Sequence, residues 1–459
     1  MTLPKTTAEL RALDAAHHLH PFSDTKALNA EGSRVIVKAD GVWLTDSDGN
    51  RYLDGMSGLW CVNVGYGREE IADAVARQLR ELPYYNTFFK TTHTPAIELA
   101  AKLAELTPPQ FNRVFFTGSG SESNDTVIRL VRRYWDIKEK PEKKVIISRR
   151  NAYHGSTVGA ANLGGMAPMH AQNVAIPGVV HIAQPYFWGE ARQGETPDEF
   201  GLRAAQALEA TIDALGEDRI AAFIAEPIQG AGGVIVPPAT YWPEIARICR
   251  ERDILFVSDE VICGFGRTGS WFGCETFGTK PDLLVMAKGI TSGYMPLGGV
   301  MVADRVVEVL LEGGDFNHGY TYSGHPAACA AALVNLDIMQ REKLVERVAD
   351  DIGPYLKARW SKLAEHPLVG EAPMLGMVGA LELTPDKPGR TAFQDVGKVG
   401  TLARDFSFKN GLVMRAVRDR LIIAPPLTLS HGEADELVTR AKKTLDDTHA
   451  ELKRWGWVG

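Results

Sequence analysis

Between about residues 110 and 305, short apolar and β-branched runs alternate with segments of helical spacing. The runs are Arg113–Phe116, Val145–Ile147, Ala221–Ala225, Ile254–Ser258, Leu283–Ala287 and Gly299–Val302. That alternation predicts an α/β fold with a mostly parallel central sheet covered on both faces. Further on, the texture changes. An amphipathic helix over Ala327–Met339, continuing toward Val348, leads into mixed strands and helices of a smaller α+β unit. The Pro/Gly-rich stretch Leu368–Met377 reads as a local loop. The expected division is an N-terminal segment over 1–60 serving the small domain and an interface, a large domain over 61–334, and a C-terminal small domain over 335–459.

In open α/β sheets, ligands sit beyond the carboxyl ends of the strands. Gly118–Ser123, Tyr153–His154, Glu226, Asp259 and Lys288 all fall at or just past those ends, so five segments converge on one rim. Lys288 closes the apolar run Asp282–Ala287. Burial there penalises the ammonium, lowers its pKa and makes a neutral amine available to attack a carbonyl. A strand-end lysine reaching out to water is the plain alternative. Asp259, closing the run before, tips the balance. A lysine and an aspartate at the ends of neighbouring buried strands match what pyridoxal phosphate needs: an amine for its aldehyde and a carboxylate for its ring nitrogen.

The segment Thr117–Ser123 follows a strand and opens a helix running to about Trp135, with Val127, Leu130, Val131 and Tyr134 on its apolar face. Its glycines let the backbone approach a phosphate, whose oxygens can accept free N–H groups at the helix start. An ordinary capped turn is the alternative, and the third glycine of a dinucleotide fingerprint is missing. Tyr153 and His154 offer aromatic surface for one face of a flat ring, and Val261 suits the other. His17, His18 and His20 crowd together, but with no carboxylate or cysteine at ligand spacing they read as a packing or interface segment, and no metal is expected. Cys61, beside Trp60, reads as a small core residue. Arg415 lies on a C-terminal strand, and a surface role is its plain reading.

Composition narrows the class of function without naming one. The 459 residues suffice for two or three domains. With 45% hydrophobic and 23% charged residues, they have the balance of an ordinary soluble enzyme. A net charge of −7 with no basic stripe speaks against nucleic acid and anionic membranes. No apolar stretch approaches the roughly 20 residues needed to span a bilayer. Met1–Lys5 lacks signal-peptide character, and five cysteines without a Cys-x-x-Cys pair argue against a disulfide framework. A cytoplasmic enzyme is expected.

With these residues in view, the chain resembles the class III aminotransferases, the fold type I group of pyridoxal-phosphate enzymes, over nearly its whole length. The most specific segments are Ser258–Asp259–Glu260–Val261–Ile262–Cys263–Gly264–Phe265–Gly266–Arg267–Thr268–Gly269 and Ala287–Lys288–Gly289. Glu226–Pro227–Ile228–Gln229–Gly230 and Tyr320–Thr321–Tyr322–Ser323–Gly324–His325–Pro326 add to them. Within the class it is most similar to the ω-, or amine:pyruvate, transaminases. The resemblance implies that Lys288 bonds the cofactor and shuttles the proton, and that Asp259 keeps the ring nitrogen protonated. Tyr153 and Val261 would sandwich the ring, with His154 and Glu226 beside it. Gly120 and Ser121 would take the phosphate, completed by Thr321 of a neighbouring subunit, so a homodimer or a tetramer is implied. Phe22, Trp60, Phe88, Tyr153 and Ala231 would shape the substrate pocket, and Arg415 would receive the keto-acid carboxylate.

Two departures matter. Ala231 stands where ornithine- and γ-aminobutyrate-type members carry a glutamate that pairs with the substrate arginine, and Ile262 where they carry a glutamine. The first favours an uncharged amine donor over ornithine, and the second fits the ω-transaminase subgroup. Putrescine, β-alanine, taurine-like and aryl-alkyl amines stay open as donors. An aminomutase or a decarboxylase is the alternative on the same cofactor. An NADP-dependent oxidoreductase, with Arg149–Arg150 on a 2′-phosphate, is the alternative from another class.

Overall fold

The computed structural model describes residues 5–459, so the first four residues of the N-terminal segment, and with them most of the leader reading, lie outside the described residues. At its centre is a seven-stranded sheet. In spatial order its strands are Phe111–Thr117, Gly298–Ala303, Leu283–Met286, Leu255–Asp259, Ile220–Ala225, Val145–Arg149 and Val179–Ile182. All neighbours pair in parallel except Gly298–Ala303, which is antiparallel to both of its own. The reason is local. A parallel return needs a crossover of a dozen or more residues, usually a helix. The segment from Lys288 instead makes a single 3₁₀ turn, Lys288–Ile290, before the next strand begins. The result is the expected mixed α/β fold with a mostly parallel sheet.

The strands are apolar on both faces because both faces are covered, and their residues divide with the period of two that a strand imposes. Ile146, Ala222, Ile224, Leu255 and Val257 pack with the face of helix Gly120–Ile137 that carries Val127, Leu130, Val131 and Tyr134. Ile147, Phe223, Ala225 and Phe256 pack on the opposite side with Phe200, Leu208, Trp242 and Ile245 of helices Pro197–Leu215 and Tyr241–Glu251. The edge strand Val179–Ile182 has no counterpart in the sequence reading, because only four residues long and interrupted by His181, it carries too little apolar signal.

Two smaller sheets hold the chain ends. Ile36–Asp40, Trp43–Asp46 and Arg51–Asp54 form a meander to which Leu412–Val413 adds in parallel. The other sheet orders Val369–Glu371, Val378–Leu383, Arg420–Ile423 and Arg415–Val417, with Met374–Leu375 also on Val378–Leu383. The stretch expected to be a loop, Leu368–Met377, therefore contributes two short strands: Pro373 and Gly376 mark the breaks, and Val369, Met374 and Leu375 supply the pairing. The expected continuous helix also breaks. Pro326–Arg341 ends, Lys343 takes a left-handed φ of 51°, and a separate helix runs over Leu344–Asp350. Among the described residues, no helix is long and apolar enough to cross a membrane.

Candidate active site

A cavity of about 380 Å³ opens on the carboxyl rim of the large sheet, and Gly120, Ser121, Tyr153, His154, Glu226, Asp259, Val261 and Lys288 all line it. Asp259 ends its strand and is buried at 3% exposure. One of its oxygens accepts from His154 Nδ1 at 2.7 Å and from Asn124 Nδ2 at 2.9 Å, and the other from the Val261 amide at 3.1 Å. A carboxylate oxygen so placed makes Nδ1 the protonated nitrogen of His154. Buried beside them, His154 Nε2 and Asn124 Oδ1 have no partner among the described residues.

Lys288 follows directly on the central strand Leu283–Met286 through Ala287 and takes a left-handed φ of 48°, a strained conformation for a lysine. Its amine has no hydrogen-bond partner among the described residues. Burial pushes its pKa below the usual lysine range, while the Cys61 thiol, Asp259 and Glu226 act the other way. Glu226, just past strand Ile220–Ala225, accepts the Tyr153 amide at 3.1 Å and the Gly230 amide at 2.9 Å. Burial pushes its own pKa up. It thus ties the segment that carries Tyr153 to the loop that carries Ala231.

At the start of helix Gly120–Ile137, Ser119 caps the Glu122 amide at 3.2 Å, and Glu122 turns back to the Gly118 amide at 2.6 Å. The amides of Gly120 and Ser121 are left with no acceptor among the described residues. Gly120 is a close approach: a Cβ there would stand 3.1 Å from Val261 Cγ2. The residues fit pyridoxal phosphate. Free amides at a helix start suit its phosphate, Asp259 its ring nitrogen, and the unpaired Lys288 amine its aldehyde.

The other expected residues do not line this cavity. Trp60 and Ala231 are buried, and Trp60 packs with Ile228, Ile262 and Val417. Phe22 is largely exposed and meets the Tyr153 ring edge-on at 6.5 Å. Phe88 and Thr321 sit together elsewhere, where Tyr84 donates to the Thr321 carbonyl at 2.6 Å and Thr87 to that of Ser323 at 3.3 Å. Arg415 makes no hydrogen bond or ion pair among the described residues, and burial lowers its pKa, with Tyr153 acting the other way.

Three readings need correction. Cys61 is not a core residue: it lines the cavity beside Lys288, and its chain neighbours gave no sign of this. The histidine cluster does have a carboxylate. Asp14 Oδ1 lies 3.1 Å from His18 Nδ1 and 2.9 Å from His20 Nε2, and the spacing of one helical turn between Asp14 and His18 was the available signal. Arg149, offered to a 2′-phosphate in the oxidoreductase alternative, is fully buried over the Trp242 ring at 5.5 Å and donates to the Glu226 carbonyl. Sequence reasoning also missed Asn124. A polar residue on the buried face of the helix that opens on the cavity, just past its first turn, was the sign to follow.

The family model for aminotransferase class-III matches residues 27–445. A putrescine–pyruvate aminotransferase of Pseudomonas aeruginosa is 58% identical over 447 residues, which cover 97% of this chain and 98% of that one. Among solved structures, the (S)-enantioselective omega-transaminase of Thermomicrobium roseum superposes with a TM-score of 0.94 at 45% identity, covering 97% of this chain and 100% of its own. The omega-transaminase of Pseudomonas jessenii in complex with PMP gives 0.95 at 39% identity, covering 97% and 99%.

Proposed function

The chain belongs to the class III aminotransferases, whose cofactor is pyridoxal phosphate, and on that premise we propose that it moves an amino group from a small amine to pyruvate. The products are alanine and an aldehyde or ketone. A diamine of the putrescine kind is the first donor to test, given the similarity to a putrescine–pyruvate enzyme. The observation that carries the reading is the unpaired amine of the half-buried Lys288 sharing one cavity with Asp259.

In this reading Lys288 holds the cofactor's aldehyde carbon, Asp259 its ring nitrogen, Tyr153 and Val261 its two faces, and the amides of Gly120 and Ser121 its phosphate. When bound, pyridoxal phosphate supplies an electron sink for the bond broken at the carbon that bears the amine. Lys288, whose amine burial makes easier to deprotonate, is the base that takes the proton from that carbon and returns it. Asp259 holds a proton at the ring nitrogen, and His154 and Asn124 fix its carboxylate for the task. Arg415, without an acidic partner of its own, receives the carboxylate of pyruvate, and Ala231 leaves apolar room for an uncharged donor.

Several further features belong to the same proposal. The active unit is a homodimer, in which a second copy brings Thr321 to the phosphate and Phe88 to the pocket; neither reaches the cavity of its own chain. The N-terminal segment 1–60 serves the small domain 335–459 beside the large domain 61–334, supported by the pairing of Leu412–Val413 with Arg51–Asp54. Five free cysteines agree with a cytoplasmic location. The test is an incubation of the purified protein with pyruvate and an amine. One alanine should form for each amine consumed. Consumption of the amine without alanine would mean that a decarboxylase or aminomutase is at work.

A further inference from the structure

Arg415 and Arg420 share one face of a hairpin but are treated differently. The register pairs Arg415 with Ile422 and Val417 with Arg420, so these four side chains lie on the same side of the sheet. Val417 and Ile422 pack there against Trp60, Ile228 and Val234, so that side faces the loop that carries Ala231. Arg420 is held by two acids and a carbonyl: it donates to Glu371 at 2.9 Å, to Glu382 at 2.7 Å and to the Val234 carbonyl at 3.3 Å, leaving only its Nε without a partner among the described residues, and Tyr186 donates to the same oxygen of Glu382. Arg415 has no such partner.

The acids stand in one cross-strand row. Glu371 is opposite Glu382, and Glu382 opposite Arg420. Like charges directly opposite repel, so these two need the guanidinium between them. Burial works against the Arg420 charge, but Glu371 and Glu382 outweigh it and raise its pKa. The loop contact is just as specific. Val234 is a β-branched residue at a φ of 57°, an outlier that persists only where its surroundings hold it. Its amide donates to the Gly230 carbonyl at 3.0 Å, and its carbonyl meets Arg420.

We propose that Arg420 is the positioning residue that fixes the strand of Arg415 against the Ala231 loop and keeps Glu371 and Glu382 occupied, so that Arg415 stays free for a carboxylate acceptor. Glu382 lies two strands from Arg415, at about 4.8 Å per strand, and one step along the same face, a span that an extended glutamate and arginine can close between them. This rests on the reading of Arg415 as the acceptor's anchor.

The test uses the cofactor-loaded enzyme and the variants Arg420→Met, Arg420→Lys, Arg420→Met with Glu382→Gln, and Arg415→Ala. Each is read by calorimetric titration with propionate, a carboxylate with no reactive carbonyl, and by the KM for pyruvate beside the rate of the half-reaction with an uncharged amine. Arg420→Met should weaken propionate binding and raise the pyruvate KM by about tenfold, while the amine half-reaction changes by less than about twofold. Arg420→Lys, which keeps the charge and the fold, should fall between this variant and the wild type. Adding Glu382→Gln to Arg420→Met should restore much of the loss. Wild-type propionate binding in a folded Arg420→Met or Arg420→Lys overturns the proposal, as does a double variant no better than Arg420→Met. Arg415→Ala separates the two claims. If it leaves propionate binding unchanged, the reading of Arg415 itself fails; if it alone weakens binding, only the role of Arg420 does.

Discussion

The floor of the cavity and the residues around it that are expected to shape its mouth are built on different terms. At the floor, both carboxylates are fixed by their own chain: Asp259 by His154, Asn124 and the Val261 amide, and Glu226 by the amides of Tyr153 and Gly230. At the mouth, the Arg415 side chain has no partner among the described residues, Phe22 lies largely in solvent, and Phe88 and Thr321 stand away from the cavity. A floor that handles one reaction can be rigid and self-contained. A mouth that must admit an amine and then a keto acid cannot have its charge satisfied beforehand. Variants at the floor should therefore damage both halves of the reaction, and variants at the mouth only one.

The largest expected effect is at the floor. Lys288→Ala should abolish transamination, since no other amine lines the cavity, and turnover near the wild-type rate in that variant would end the comparison at once. Asp259→Asn keeps the shape but loses the charge at the ring nitrogen. An opposite charge at hydrogen-bond distance shifts a pKa by about 1–3 units, so turnover should fall at least about a hundredfold, or ~2.7 kcal/mol in the barrier. Saturating-substrate kinetics check this, and a change in KM alone would reduce Asp259 to a structural part.

At the mouth the effect should be smaller and selective. Ala231→Glu fills apolar space and offers Arg415 an internal partner. The kcat/KM for a bulky aryl-alkyl amine should drop by about tenfold, ~1.4 kcal/mol, and that for a short amine by less. Equal losses for both donors would show that the pocket at Ala231 is not selective. The smallest effect concerns stability. Because burial holds the pKa of Lys288 below its unfolded value, the unfolded chain binds the extra proton. The fold should therefore lose stability as pH falls from the unfolded lysine range, about 10, down through the lowered value. Cofactor-free Lys288→Met should escape this and melt about a degree or two higher at neutral pH, with the gap closing as pH rises toward that range. A gap independent of pH would place its origin elsewhere.

The same contrast explains what could be read from the sequence. The floor was legible because its residues fall at strand ends, where an apolar run stops at a polar residue; Lys288, Asp259 and Glu226 each announce themselves in this way. Cys61 did not, since it interrupts no periodic pattern, and Asn124 showed only as one polar residue on the apolar stripe of a helix, a weaker sign than the end of a strand. The antiparallel strand Gly298–Ala303 looks like its parallel neighbours, because burial on both faces gives the same apolar run in either direction. The loop expected at Leu368–Met377 shows the converse: two- and three-residue strands carry too few positions to display alternation. At the mouth, the row of Glu371, Glu382 and Arg420 depends on register between strands that are far apart in the chain, which no local pattern records.

The central claim is that the floor moves the amino group while Arg415 reads only the acceptor. Rapid mixing of Arg415→Ala with an uncharged amine, and separately of its amine-loaded form with pyruvate, tests this directly. The amine half-reaction should keep nearly its wild-type rate, while pyruvate should bind about tenfold to a hundredfold more weakly, the roughly 1.5–3 kcal/mol expected of a charge-assisted pair. Equal losses in the two halves would contradict the account and assign Arg415 to the fold or the cofactor.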